Sequence, residues 1–279
     1  MYTLKPHERL LSDQCLYAAA WDAEVKQALL PRTICGRHAV MYRRADGEVA
    51  ALEDACWHRL VPLSKGRLEG DSVVCGYHGL KFNAQGRCTF MPSQETINPS
   101  AYVRAYPLVE RNRFIWLWMG DLALADPDLV PDMHWNDDPA WVGDGETIHL
   151  KCDYRLVVDN LMDLTHETFV HGASIGNDAI AEAPLDVTHG EKAATVMRWM
   201  KGITPAAVLV ETVAKAWSGG PLANHSFRGA VHHQYRRRGG ARRNRRARRR
   251  SLGGCQWYGS QHHHARNGDD LPLFLGIRT

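Results

Sequence analysis

No run of apolar residues in the chain is long enough to cross a bilayer. The purely apolar stretches, such as 114–119 and 206–210, extend only a few residues, whereas a membrane helix needs about 20. The opening residues MYTLKPHER carry charges and lack an apolar h-region, which weighs against a secretory leader. Cysteines number only seven, and without such a leader they point to a reducing compartment. The expected location is cytoplasmic. Acidic residues are missing altogether between Glu211 and Asp269, and lysine is missing from 231–251, where ten arginines crowd between Arg236 and Arg250.

What is present is 279 residues, enough for one large domain or two medium ones. The net charge of +3 hides a split, since 1–211 hold 20 Lys+Arg against 29 Asp+Glu and 212–279 hold 14 against 2. The basic part has three readings. A nucleic-acid contact would neutralise phosphates, and a solvated arm would usually mix lysine with arginine. Crowded arginine and glycine are also what GC-rich DNA yields when read off-frame. Codons can be chosen for 255–278 so that the neighbouring frame reads as an alternating strand pair. The tail, 219–279, is therefore expected to be out of frame or disordered, and nucleic acid is not the expected partner.

Residues 15–30 are apolar and aromatic with few breakers and read as a helix closed by the turn at Pro31. From Arg37 the period changes to two, and 39–43 and 49–53 flank Ala45-Asp46-Gly47, a hairpin signal because Asp and Gly tolerate positive φ. Further strands are expected at 72–75, 80–83, 102–107 and 114–119, with a turn at Ala84-Gln85-Gly86. Many short strands describe a small all-β domain over 1–120. The Asp- and Pro-rich segment around Pro127 and Pro131 makes 121–140 a linker. Beyond it, a strand is expected over 146–156, a helix over 157–169, a loop over 172–183, and strands at 185–187 and 194–200 before a turn at Gly202-Ile203-Thr204-Pro205. Residues 141–218 thus read as part of an α+β domain.

The strongest motif is Cys56-Trp57-His58, sixteen intervening residues, then Cys75-Gly76-Tyr77-His78. Each half offers one thiolate and one imidazole on a short loop. Two of each suit either a tetrahedral zinc or a [2Fe–2S] cluster whose outer iron takes both histidines. A zinc finger keeps its cysteines in one half and its histidines in the other. One of each per half is the distribution needed when Cys56 and Cys75 bind one iron and His58 and His78 the other. Gly76 and Gly79 would let peptide N–H groups approach the sulfurs, and Pro62 would stiffen the first loop. Cys15, Cys35, Cys88 and Cys152 have no histidine at comparable spacing and read as buried small hydrophobes.

The second constellation runs from Asp159 to His171. On a helix, Asp159, Asp163 and His166 share one face, and a helix loosened or ending before Gly172 would bring His171 to the same metal. Histidines merely satisfied by neighbouring carboxylates are the bland alternative. Two imidazoles and a carboxylate form the facial triad that holds Fe(II) with open positions for O₂ and substrate. His166 and His171 are the candidate imidazoles, and Asp163 is placed to accept a histidine N–H beside the metal.

Together the two constellations resemble the Rieske non-haem iron oxygenases over residues 1–211. The phrase VVDNLMDLTHETFVH resembles the branch that removes O-methyl groups from aromatic acids, of the vanillate O-demethylase type. The resemblance implies an all-β Rieske [2Fe–2S] domain, then an α+β helix-grip catalytic domain, expected here to be truncated and followed by an aberrant basic tail. It implies that Cys56, His58, Cys75 and His78 bind the cluster, while His166 and His171 bind a mononuclear Fe(II). It further implies that Asp163 links the partner subunit's His78 to His166, and that Asn160 is a polar residue near the iron. Implied with these are O₂ as co-substrate, NAD(P)H electrons from a separate flavin and iron–sulfur reductase, a homotrimer and an aromatic small-molecule substrate.

The activity implied is O-demethylation of a methoxylated aromatic acid such as vanillate, giving a phenol and formaldehyde. Ring or N-methyl hydroxylation by the same machinery is the first alternative; a zinc-stabilised nucleic-acid-binding module using the arginine run is the second. In the family the third iron ligand is an aspartate far downstream of the second histidine. The downstream acids here are few: Asp178, Glu182, Asp186, Glu191, Glu211, Asp269 and Asp270; Asp178 and Asp186 are too close, Asp269 and Asp270 lie within the basic tail, and no third ligand is assigned. Arg198 and Lys201 read as solvated charges. With that ligand missing, this chain by itself is expected to fold poorly in its second domain and not to turn over.

Overall fold

The computed structural model describes residues 14–138, 141–144, 147–152, 154–172, 176, 178–189 and 193–203, and the backbone of three later strands, 227–236, 255–264 and 271–278. Thr204, Pro205 and the arginines from Arg237 to Arg250 lie outside the described residues, as do Glu191, Glu211, Asp269 and Asp270. The chain divides into two compact units, residues 1–132 and 133–279.

The first unit is built from short strands: β1 (Leu16–Trp21), β2 (Leu30–Ile34), β3 (Arg37–Arg43), β4 (Val49–Glu53), β5 (Arg67–Glu69), β6 (Ser72–Val74), β7 (Lys81–Phe82), β8 (Cys88–Phe90), β9 (Leu108–Arg111) and β10 (Phe114–Trp118). They form three antiparallel sheets, ordered β1-β10-β9, β2-β3-β4 and β5-β6-β7-β8. The β3–β4 hairpin turns where Asp46 and Gly47 place it, with Gly47 at φ 89°. Its alternation has an unusual outcome, because both faces are buried. Val40, Tyr42, Ala50 and Leu52 enter one core together with Cys56 and Cys75; Ala39, Met41, Val49 and Ala51 enter another with Ile115 and Leu117. The hairpin is thus a wall shared by two cores, and one of those cores carries both cysteines of the first motif.

The helix expected over 15–30 is instead strand, short 3₁₀ turn and strand. Leu16–Trp21 pairs with Phe114–Trp118, and Ala19 and Ala20 are fully buried against that partner, so pairing overrides local helix propensity. Pro31 lies within β2 on the edge of its sheet, where a missing N–H costs no ladder bond. Residues 102–107 make only isolated bridges, Arg87 with Tyr102 and Leu52 with Ala105.

The second unit contains β11 (Trp141–Asp144), β12 (Thr147–Leu150), α1 (Tyr154–Met162), α2 (Glu167–Val170), α3 (Asp178–Glu182), β13 (Leu185–His189), β14 (Ala193–Ile203), β15 (Phe227–Arg236), β16 (Cys255–His264) and β17 (Leu271–Arg278). One seven-stranded sheet takes the order β11-β16-β17-β15-β14-β13, with β12 also on β16. Among the described strands only β15 and β17 run parallel. Leu164, Ile180 and Val196 form a small core that seats the helical segment on β14. The helix expected over 157–169 begins earlier and breaks at Asp163, and α3 occupies part of the expected loop. Among the described residues no helix is long and apolar enough to cross a membrane.

Candidate metal centres

Two loops present the first Cys/His set, and their backbones repeat one another. Cys56 N–H donates to the Val61 carbonyl at 2.8 Å and Leu60 N–H to the Cys56 carbonyl at 2.8 Å. In the second loop Cys75 N–H donates to Leu80 at 2.9 Å and Gly79 N–H to Cys75 at 3.0 Å. The fifth residue of each turn is left-handed, Leu60 at φ 57° and Gly79 at φ 74°. Glycine adopts that region freely, whereas for leucine it costs roughly 1–2 kcal/mol. One backbone shape is therefore made twice from different side chains, with histidine third in the first loop and fourth in the second.

The ends of these loops are tied down. Buried Asp54 accepts the Ser64 N–H at 2.7 Å and the Ser64 hydroxyl at 2.6 Å, closing the first loop across ten residues. Gly66 and Gly76 meet backbone to backbone. A Cβ on Gly66 would lie 1.9 Å from the Val74 oxygen, and one on Gly76 would lie 3.0 Å from the Lys65 oxygen. Gly76 thus serves close packing of the two loops. The peptide N–H groups directed at the Cys56 sulfur come from His58 and Arg59 of the first loop.

The donors sort by depth. Cys56 and Cys75 are each 2% exposed and pack with Leu63 and Phe82. Burial pushes the Cys56 thiol up to about 11, against the pull of the His58 N–H, and facing Cys75 adds to the rise. His58 and His78 are exposed, with their Nδ1 atoms 3.2 Å apart and ring centres 4.8 Å apart. The Tyr77 ring rests 3.9 Å from His78.

This sorting tests the two occupants left open by the sequence. Imidazole nitrogens each about 2.0–2.1 Å from one metal ion stand roughly 3–3.4 Å apart, and the Nδ1 pair already matches that spacing. Among the described residues no three of His, Cys, Asp and Glu converge as they would around a single ion. A tetrahedral zinc needs all four donors about one point. A [2Fe–2S] cluster needs a thiolate pair at one iron and an imidazole pair at the other. The four residues fit the cluster.

At the second centre, α1 stops at Met162 because Asp163 turns its carboxylate onto the Thr165 N–H at 2.9 Å and the Thr165 hydroxyl. Those bonds hold the Asp163 carboxyl below its usual range. The His166 Nδ1 faces the Asp163 main-chain oxygen at 2.5 Å. A carbonyl only accepts, so the hydrogen bond places a proton on Nδ1. The acceptor of that histidine N–H is thus the Asp163 backbone; its carboxylate, which the spacing nominated, is engaged with Thr165. Asn160 Nδ2 lies 3.4 Å from His166 Nε2, and the His171 ring centre is 5.3 Å from that of His166. The helix break brings the two imidazoles together. Asp159 remains exposed on α1 and joins no group of three donors. The histidine pair fits two of the three protein positions of a facial triad.

Arg198 departs from the expected solvated charge. It is 3% exposed and its Nη1 donates to the Leu164 carbonyl at 2.8 Å and to Glu167 Oε2 at 3.2 Å. Burial pushes the Glu167 carboxyl up, with Arg198 opposing. The side chain of Lys201 is outside the described set. Sequence reading missed Asp54, Ser64 and Arg198; only for Arg198 was there a signal, its place two residues after Val196 on an alternating strand. Of the other cysteines, Cys15 and Cys88 are buried as expected, while Cys35 and Cys152 are partly exposed.

A family model described as Rieske [2Fe-2S] domain matches residues 15–107, and one described as Vanillate O-demethylase oxygenase C-terminal domain matches 150–234. The second match runs past residue 218, where the basic tail was expected to begin. The chain is 50% identical over 171 residues to the vanillate O-demethylase oxygenase subunit of a Pseudomonas species, covering 61% of this chain and 51% of that protein. It is 45% identical over 189 residues to the toluene-4-sulfonate monooxygenase iron–sulfur subunit of Comamonas testosteroni, covering 66% and 54%. The crystal structure of dicamba monooxygenase bound to 3,6-dichlorosalicylic acid superposes with a TM-score of 0.68 at 30% identity, covering 95% of this chain and 68% of that one. The chain spans about half the length of the curated relatives it matches.

Proposed function

The chain belongs to the Rieske-domain oxygenases of the vanillate- and dicamba-demethylase type, and we propose that it acts as the oxygenase component of an O-demethylase for a methoxylated aromatic acid such as vanillate. The observation that carries this reading is the pairing of donors: buried Cys56 with Cys75, exposed His58 with His78, and His166 with His171 at a helix break.

In this reading Cys56, His58, Cys75 and His78 hold the [2Fe–2S] cluster, and His166 and His171 hold a mononuclear iron. When bound, the two groups supply one-electron transfer and activation of dioxygen. The overall change converts an aryl methyl ether, O₂, two electrons and two protons into a phenol, formaldehyde and water. A separate reductase supplies the electrons from NAD(P)H. The residues contribute position and protonation. Peptide N–H groups of His58 and Arg59 favour the Cys56 thiolate over the thiol. The Asp163 carbonyl accepts from His166 Nδ1, so that Nε2 would be the nitrogen offered to the iron. Asn160 Nδ2 lies within hydrogen-bonding distance of that nitrogen, and the bonds from Thr165 to Asp163 hold the turn between α1 and α2.

The likeness to a toluene-4-sulfonate monooxygenase subunit favours, as a second reading, hydroxylation of a ring substituent without loss of formaldehyde. Because the described residues supply only two ligands at the second centre, the chain given a flavin and iron–sulfur reductase, NADH and vanillate is expected to form its cluster without turning over, and to release formaldehyde in step with O₂ uptake only when a carboxylate completes that centre. Turnover of methylated aromatics to hydroxymethyl products with no formaldehyde would select the second reading. Reduced protein without an EPR signal and carrying only zinc would remove both.

A further inference from the structure

We propose that Arg198 is a positioning residue for the second centre, a buried cationic clamp that sets the turn carrying His166; the inference rests on the reading of His166 as an iron ligand. Arg198 sits in β14 with Leu185 of β13 on one side and Val231 of β15 on the other, so its backbone is fixed by two ladders. Its side chain leaves the sheet on the face that carries buried Val196, which packs on Leu164. From there Nη1 reaches the Leu164 carbonyl at 2.8 Å and Glu167 Oε2 at 3.2 Å. Those acceptors bracket Thr165 and His166. One side chain thereby fixes both ends of the segment that aims the imidazole.

The chemistry calls for a cation at this position. Leu164 lies in the turn between α1 and α2, outside both helices, and a neutral donor could satisfy its carbonyl. Glu167, however, is buried beside it, with a side chain only 12% exposed, and a lone carboxylate there would be costly. It is also one residue from His166, and an unpaired carboxylate so placed would compete for the metal. The guanidinium meets both demands with its fork of donors. The Arg198 Nε is buried with no hydrogen-bond partner among the described residues. Such a cost is tolerated where the other bonds are required.

The test uses the full chain with its cluster assembled, titrated anaerobically with Fe(II) and followed by the EPR of the nitric oxide adduct. Arg198→Met is expected to weaken Fe(II) uptake at the second centre at least tenfold while the cluster's visible absorption stays unchanged. Glu167→Gln, which keeps the Leu164 bond, is expected to lose less. Should Arg198→Met fail to fold, the double variant Glu167→Gln with Arg198→Met leaves no unpaired charge and carries the same expected loss. Wild-type Fe(II) affinity in whichever variant folds would overturn the proposal. If wild-type protein itself takes up no Fe(II), the iron reading of His166 fails. The clamp is then judged on metal-free protein by the ¹H–¹⁵N signals of the His166 ring. A sharp Nδ1–H in the wild type that broadens or vanishes on substituting Arg198 supports it; an unchanged signal overturns it.

Discussion

Cys56 shows how much one buried atom decides. Its thiol is 2% exposed and burial pushes it up to about 11, so without metal the thiol form prevails at neutral pH. Metal binding must displace that proton. Since the thiolate is the reactive form, alkylation of Cys56 in metal-free protein is expected to rise about tenfold per pH unit and to level only near pH 11. Peptide mapping after timed iodoacetamide exposure measures this; levelling near the ordinary thiol value, about 8.5, would show that burial is not holding it. The identity of the ligands was legible at this scale, because Cys and His on paired loops have few other uses. Their sorting into an inner and an outer pair was not, since it depends on which core the loops close over. Asp54 and Ser64 were equally invisible: an acid and a hydroxyl ten residues apart form no pattern until the loop between them closes.

Elements join these residues through contacts that leave no room. Between the two loops of the first centre, a methyl group on Gly66 would lie 1.9 Å from the Val74 oxygen, a backbone atom that cannot swing away. Gly66→Ala is expected to cost about 1–3 kcal/mol or more and to lower cluster content per chain, read by thermal unfolding and by visible absorption. Gly70→Ala meets nothing within 4 Å, although φ is 58°; it is expected to cost stability through backbone strain alone and to keep its cluster. At the second centre the element that matters is a missing one. The sequence from Val157 onward has helical spacing through Phe169, and that spacing hid the break at Asp163, where a short side chain bonds the backbone two residues on. Asp163→Ala removes the bonds to Thr165 and is expected to let α1 run on, turning His166 away from His171. Helical content should rise while Fe(II) uptake at the second centre falls; circular dichroism and the nitric oxide EPR signal read the two changes. A similar competition explains β1, where an alanine-rich segment of good helix formers is taken into a sheet by Phe114–Trp118. Local preference was legible in both cases, and its long-range or side-chain competitor was not.

Across the whole chain, the two units carry centres of unequal completeness. Residues 1–132 bring all four cluster donors together from one pair of loops, each closed by its own hydrogen bonds. In residues 133–279 the described donors at the second centre stop at two imidazoles, and no acidic side chain joins them as a third. Two neutral imidazoles lack the carboxylate that completes a facial triad and offsets the charge of Fe(II). The binding strengths therefore differ by position. Protein reconstituted with excess iron and sulfide and then desalted is expected to keep about two irons per chain, those of a [2Fe–2S] cluster, with the second centre emptied. Adding Fe(II) back without desalting should restore the nitric oxide signal. A third iron that survives desalting would mean that a carboxylate from outside the described residues completes the second centre. Substituting each candidate acid in turn, beginning with Asp269 and Asp270, would then identify it by the loss of that iron alone.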